Sequence, residues 1–247
     1  MGIDSPLGTP RDKFLSDIQK ALGKTTREPE VKYKQFNVTV DELEDRASKR
    51  IKQIQEITPS LIINLTTTAT QGGWNVHHSP TMEKGTEFIH DLLQNKKVDR
   101  VVRSDEEIFE KLALENSLSD LNLDFATVSR KQAEPTDLRD LVFNADVGLT
   151  GVEYAISETG SIIVIPKEGL SRLVSLAPSI HIAVVQPHQI IETLDDLFMF
   201  RRLEHLRGND IGSYMNFITG PSRTGDIEQV IITGVHGPKE VYMLILG

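Results

Sequence analysis

The sequence predicts an α/β protein built on a mainly parallel open sheet flanked by helices, with an inserted β-hairpin. Three observations carry this. Short apolar runs of strand length alternate with amphipathic helical patterns, the connections between them are short, and one later segment breaks the alternation as two β-rich runs around a polar loop. Parallel strands need crossover helices, and those helices cover both faces of the sheet.

Residues 1–35 are polar and broken by Pro6, Pro10 and Pro29, while Phe14, Leu15, Ile18 and Leu22 mark a short helix stopping at Gly23. This stretch reads as a flexible amino-terminal arm. From Thr39 onward, Val40, Leu43, Ala47, Ile51, Ile54 and Ile57 recur at helical spacing, and Thr39 with Glu42 has capping-box spacing. Pro59 ends that pattern, and LIINL at 61–65 reads as a short buried strand. An extended GWNVHH follows, then a helix from Met82 to Gln94, the strand DRVVR at 99–103, a helix opened by Ser104 with Glu107 three residues on, and the strand FATVS at 125–129.

The stretch 148–165, GLTGVEYAISETGSIIVI, supplies the hairpin, with Gly160 in its polar loop. HIAVV at 181–185, YMNFI at 214–218 and VYMLIL at 241–246 read as further strands, and QVIIT at 229–233 leans the same way. A long helical pattern from His188 through Ile191, Leu194, Leu197, Phe198, Arg201 and Leu206 stops at Gly208. No repeat or linker interrupts the rest, so residues 40–247 are expected to form one domain.

The composition excludes several functions. With 27 Lys plus Arg against 36 Asp plus Glu in 247 residues, the net charge is −9, which opposes non-specific nucleic-acid binding. The absence of cysteine removes iron–sulfur ligation, thiol catalysis and disulfides from this chain. No apolar run approaches the roughly 20 residues that cross a bilayer, and the amino terminus lacks an apolar signal core, so a cytoplasmic location without a membrane span is expected. Phosphate-cradling GxxxxGK[ST] and GxGxxG loops, HExxH and the GxSxG elbow are also missing.

Chemistry therefore has to come from polar loops. Glu153 and the loop Ser157, Glu158, Thr159, Gly160 and Ser161 put carboxylates beside hydroxyls and a glycine. Glu158 is placed there to act as nucleophile, base or ligand clamp, although Ser, Thr and Gly are also ordinary turn residues. In ITGPSRTGDIE at 218–228, Gly220, Ser222, Arg223, Thr224 and Asp226 follow a strand, and in an open α/β sheet such a loop lies at the ligand crevice. A guanidinium grips a carboxylate or phosphate in bidentate fashion, with Asp226 open instead to a capping role. His236 stands between two glycines in GVHGPKE, and His181 opens the strand HIAVV, where it either faces the crevice or packs in the core. Arg172 is a second anion contact or a surface residue. His77 and His78 are adjacent on a strand and face opposite sides, so they cannot share a metal, and no metal site is expected.

Three segments in one order, GVEYAISETGSIIVI, RLVSLAPSIHIAVV and FITGPSRTGDIEQVIITGVHGPKEVYMLIL, resemble the lactate-utilisation protein C family, the stand-alone form of the LUD domain. The likeness spans residues 60–247, and the helix around Phe14 to Leu22 is also similar. It implies a fold like the NagB, ribose-phosphate isomerase and CoA-transferase superfamily. It also implies a part in oxidising L-lactate to pyruvate as a subunit of a complex, beside two proteins that carry the iron–sulfur clusters. This chain would hold no cofactor of its own and would bind a small carboxylate or a partner protein. The motif positions Glu158, Thr159, Gly160, Ser222, Arg223, Thr224, Asp226 and His236 carry over as a pocket. The alternative is an independent CoA-transferase-like or isomerase-like enzyme using Glu158, since similarity of fold does not establish activity.

Overall fold

The computed structural model describes residues 11–23, 38–129, 135–166, 172–209, 211–212, 214–225 and 231–247. Two compact units are present, one ending at Thr39 and the other spanning Val40–Gly247. In the first, helix α1 (Arg11–Ala21) forms where the apolar spacing placed it, and Gly23 ends it with a φ of 68°.

The second unit opens with α2 (Val40–Gly72), 33 residues and about 50 Å long. It runs straight through Pro59, so the expected strand at 61–65 is instead helix. The buried stripe Leu43, Ala47, Ile54, Leu61, Leu65 and Ala69 continues across the proline at helical spacing, and burying it offsets the roughly 3 kcal/mol that an interior proline costs. Neighbouring hydroxyls occupy backbone carbonyls around the break: Thr58 donates to the Ile54 carbonyl at 2.9 Å and Ser60 to that of Ile57 at 2.7 Å. Thr66, Thr67, Thr68 and Thr70 each donate to the carbonyl four residues back, which gives this β-branched run a helical solution.

The central sheet takes β1 (Asn75–Ser79), β2 (Arg100–Ser104), β3 (Asp124–Val128), β4 (Val147–Gly151), β7 (Ile180–Val185) and β12 (Glu240–Leu246) in the order β1-β12-β7-β4-β2-β3, all parallel. One face, with Val101, Leu149, Ile182 and Leu244, packs on α3 (Met82–Lys96), α4 (Glu107–Lys111) and α5 (Leu114–Ser117). Val102 on the other face packs with Val142 of α6 (Pro135–Phe143) and Val174 of α7 (Leu173–Leu176). Ser104 does not open α4. It ends β2, and Glu106 stands at the cap position, accepting from the Ser104 hydroxyl and, at 2.6 Å, from the Gly151 amide.

The hairpin is present, but only its later part. β4 belongs to the parallel sheet, while β5 (Tyr154–Ile156) and β6 (Ser161–Val164) pair antiparallel in a second sheet. That sheet runs β8-β5-β6-β9, with β8 (Ile190–Ile191) and β9 (Asn216–Ile218) at its edges. The helix expected from His188 therefore starts later, as α8 (Leu194–Leu206), because Thr193 and Asp196 form a capping box and the residues before it are a short 3-10 turn and β8. Gly208 stops it at a φ of 77°. A two-stranded ribbon, β10 (Arg223–Gly225) and β11 (Ile231–Thr233), completes the unit.

A bidentate ion pair ties α2 to α8. Arg50 donates through Nε to Asp196 Oδ1 at 2.7 Å and through Nη2 to Oδ2 at 2.9 Å, and it also contacts Glu192. Burial favours the neutral Asp196 acid, yet the bonds from Arg50 and the Thr193 backbone prevail and hold the carboxyl below its usual range. A depressed carboxyl stabilises the fold above its unfolded pKa of about 3.9 and loses that contribution as pH falls through the folded value. Asp196→Ala is expected to cost about 2 kcal/mol at pH 7, read as a melting temperature lower by roughly 4–8 °C. The gap between variant and wild type should narrow as the pH falls below the ordinary carboxylate range.

Candidate functional site

The carboxyl end of α2 gathers the two motif loops. Ser157 is fixed on this helix: its carbonyl accepts from the Thr68 hydroxyl at 2.8 Å, and its hydroxyl accepts from Asn64 Nδ2 at 3.0 Å. Gly160, at a φ of 66°, lies so close that an added Cβ would stand 2.4 Å from the Ala69 amide nitrogen. Beyond the turn, Thr159 donates to Ser161 Oγ at 2.9 Å, and Ser161 and Thr219 share a hydroxyl–hydroxyl bond of 2.9 Å. Thus the turn 157–161 reaches the 219–225 loop through Ser161, not through Glu158.

Glu158 faces elsewhere. It is exposed, and its Oε2 accepts from the Leu194 amide at 3.1 Å, at the first turn of α8. A carboxylate there complements the helix N-terminus. Among the described residues no ion pair joins it to Arg223.

The second loop closes on the end of α2 through glycines. A Cβ on Gly220 would lie 2.3 Å from the Gly72 carbonyl oxygen, and one on Gly73 would lie 2.3 Å from Nη2 of Arg223. Ser222 then stitches in the third motif: its amide donates to the Pro238 carbonyl at 2.9 Å, its carbonyl accepts from Gly234 at 2.9 Å, and its hydroxyl accepts from the His236 amide at 3.2 Å. Arg223 and His236 are exposed at this rim, and Thr224 is half-buried opposite Ile232. Asp226 lies outside the described residues. Arg172 is on the surface, its guanidinium 5.5 Å from the Tyr214 ring centre.

The position of this loop differs from the sequence argument. β9 belongs to the second sheet, so residues 219–225 do not leave the carboxyl end of a central strand. They meet Gly72 and Gly73, just before β1, at the amino-terminal edge of the parallel sheet.

Beneath the rim lies a pair of buried rings. Trp74 directly follows Gly73 and is 3% exposed, and His181 is fully buried, with ring centres 6.2 Å apart. His181 Nε2 is 2.8 Å from Thr150 Oγ1. Its Nδ1 and Trp74 Nε1 have no hydrogen-bond partner among the described residues. Burial pushes the His181 imidazole down to about pKa 3, so it is neutral at pH 7. Sequence reasoning found His181 and missed Trp74 and Thr150. The available signal for Trp74 was the chain's single tryptophan directly after Gly72–Gly73, at a helix-to-strand junction.

His77 and His78 diverge as alternation requires: His77 stacks on Phe88 with ring centres 4.0 Å apart, and His78 Nε2 contacts the Gly247 carbonyl at 2.6 Å. Among the described residues no group of three His, Asp or Glu is placed to hold a metal ion, and no helix is long and apolar enough to cross a membrane.

The chain is similar to several known proteins. A model of the LUD domain family matches residues 64–246. The chain is 26% identical over 248 residues to Lactate utilization protein C of Halalkalibacterium halodurans, covering 96% of this chain and 97% of that protein. It is 24% identical over 225 residues to Lactate utilization protein B of Shouchella clausii, covering 71% of this chain and 46% of that protein. Among solved structures, a DUF162 family protein from Deinococcus radiodurans shares the fold, with a TM-score of 0.53 and 20% identity over 77% of this chain and 98% of the other.

Proposed function

The chain belongs to the LUD domain family, and from that premise we propose that it serves L-lactate oxidation to pyruvate as a subunit working beside iron–sulfur proteins. The observation that carries this reading is the end-to-end match to Lactate utilization protein C of Halalkalibacterium halodurans. The chemistry agrees with a shared task. Converting lactate to pyruvate releases two electrons and two protons, and a chain without cysteine offers no thiolate ligands for a cluster to receive them. Its contribution is then to hold the organic acid or a partner, and the rim of Ser222, Arg223 and His236 over Trp74 is the place for it. Arg223 supports a carboxylate contact, since no carboxylate pairs with it among the described residues.

The test is genetic and biochemical. Deleting the gene should abolish growth on L-lactate while leaving growth on glucose intact, and the tagged protein should co-purify with iron–sulfur proteins. Unimpaired growth on L-lactate would sink the proposal.

A second reading, acyl transfer through Glu158, rests on the exposure of that carboxylate beside the α8 N-terminus. Its attack on an acyl-CoA would expel the CoA thiolate and leave an acyl–glutamyl anhydride. Mass spectrometry after incubation with acetyl-CoA should show the acyl mass on Glu158, and an unmodified protein removes this option.

A further inference from the structure

Two ring nitrogens under the rim are buried without partners among the described residues, and their chemistry specifies what would satisfy them. Trp74 Nε1 can only donate, and neutral His181 has one bare nitrogen and one N–H, with Nε2 already on Thr150. Unpaired buried polar groups are costly, and two on adjacent rings mark a place meant to be filled. The ring centres are 6.2 Å apart and the ring planes tilted by 57°, so the two rings are neighbours.

The guest atom is an uncharged oxygen. A carboxylate pressed between these rings would lose its water to neutral donors alone, a desolvation cost that they do not cover. A metal ion is excluded by the indole N–H, which has no lone pair to offer. A hydroxyl fits either histidine tautomer, accepting from the indole and donating to or accepting from the imidazole, while a keto oxygen fits the tautomer with Nδ1–H. The Arg223 guanidinium lies against Gly73, one residue from Trp74, and so supplies a cation next to this spot.

We propose that Trp74 and His181 hold the neutral 2-oxygen of a short 2-hydroxy- or 2-oxo-carboxylate whose charged end is met by Arg223. This deepens the reading above and rests on it: the rim supplies the charge contact, and the buried rings supply selectivity for the oxygen next to the carboxylate. Thr150 is a positioning residue, because its hydroxyl fixes the imidazole through Nε2.

Trp74 is the chain's one tryptophan, so intrinsic fluorescence reports this site alone. Titrating the full chain with L-lactate and with pyruvate should give a saturable change in emission. Propionate, which keeps the carboxylate and lacks the 2-oxygen, should bind about tenfold more weakly or not at all, and Arg223→Gln should weaken lactate about tenfold. The 15N resonance of the indole N–H should shift with lactate in the folded wild-type protein, an arm that depends on no variant. An indole resonance and emission indifferent to both acids would mean a buried water only and would overturn the proposal. Equal binding of propionate would overturn it too, leaving an anion contact at the rim. The growth test separates the two claims: no binding with lost growth on lactate removes the subsite and keeps the pathway role, while binding with normal growth removes the role and keeps the subsite.

Discussion

Gly160→Val is expected to destabilise the protein by about 4 kcal/mol, seen as a melting temperature lower by roughly 8–16 °C. Two independent penalties combine. The φ of 66° at Gly160 is a left-handed conformation that a β-branched residue tolerates poorly, and the new Cβ would lie 2.4 Å from the Ala69 amide and 2.6 Å from Ala69 Cα. Helix backbone cannot yield as a flexible side chain would, so the turn has to lift off α2. Lifting it strains the bonds from Thr68 and Asn64 to Ser157 and the link from Ser161 to Thr219. Calorimetry of Gly160→Val beside Gly208→Val checks the argument, because a Cβ at Gly208 meets nothing within 4 Å and carries only the conformational penalty at its φ of 77°. Equal melting temperatures for the two variants would show that the contact with α2 does not matter.

His181 makes the second large contribution, and it appears as a pH dependence. Burial pushes its pKa from the ordinary 6.5 to about 3 in the folded chain. The unfolded chain binds the proton near pH 6.5 and the folded chain resists it, so stability is full above pH 6.5 and falls as the pH drops toward 3. Between pH 6.5 and 4.5 the loss attributable to this side chain is about 2 kcal/mol. His77, also depressed by burial, adds in the same direction, and His90, raised by its bond to Asp120, acts in the opposite one. The difference between wild type and His181→Gln therefore isolates the effect. Urea denaturation at several pH values should show a steeper acid slope for the wild type, and parallel slopes would mean the buried imidazole is not coupled to folding.

Much of the fold was legible because its signals are local. The α3 pattern, the strands β1, β2, β3, β7 and β12, and the glycine stop at Gly208 all follow from periodicity and punctuation within a few residues. The LIINL run shows where such signals fail. Read over five residues it is a strand, and read with Leu43 to Ala69 it is one stripe of a helix that accepts Pro59 for the sake of burial. The same limit hid the second sheet, since β5, β8 and β9 are two or three residues long and pair across distant stretches of chain.

The candidate site was legible in part for a related reason. Polar loops announce themselves, and Ser222, Arg223 and His236 do share one rim through the bonds of Ser222. Which way Glu158 points is decided by the α8 N-terminus 36 residues away, and no spacing rule sees that. The unpartnered nitrogens of Trp74 and His181 are visible only once α2 and the central sheet are placed together.

The second sheet has a kinetic consequence. Its strands come from residues 154–164, 190–191 and 216–218, so a ribosome must have released most of the chain before the last edge can dock. Closing loops of that size carries an entropic cost that short strands repay late, so this sheet is expected to form late in folding. Ordering of the rim that depends on Thr219 and Arg223 then waits on the same event, so competence to bind should emerge only after most secondary structure has formed.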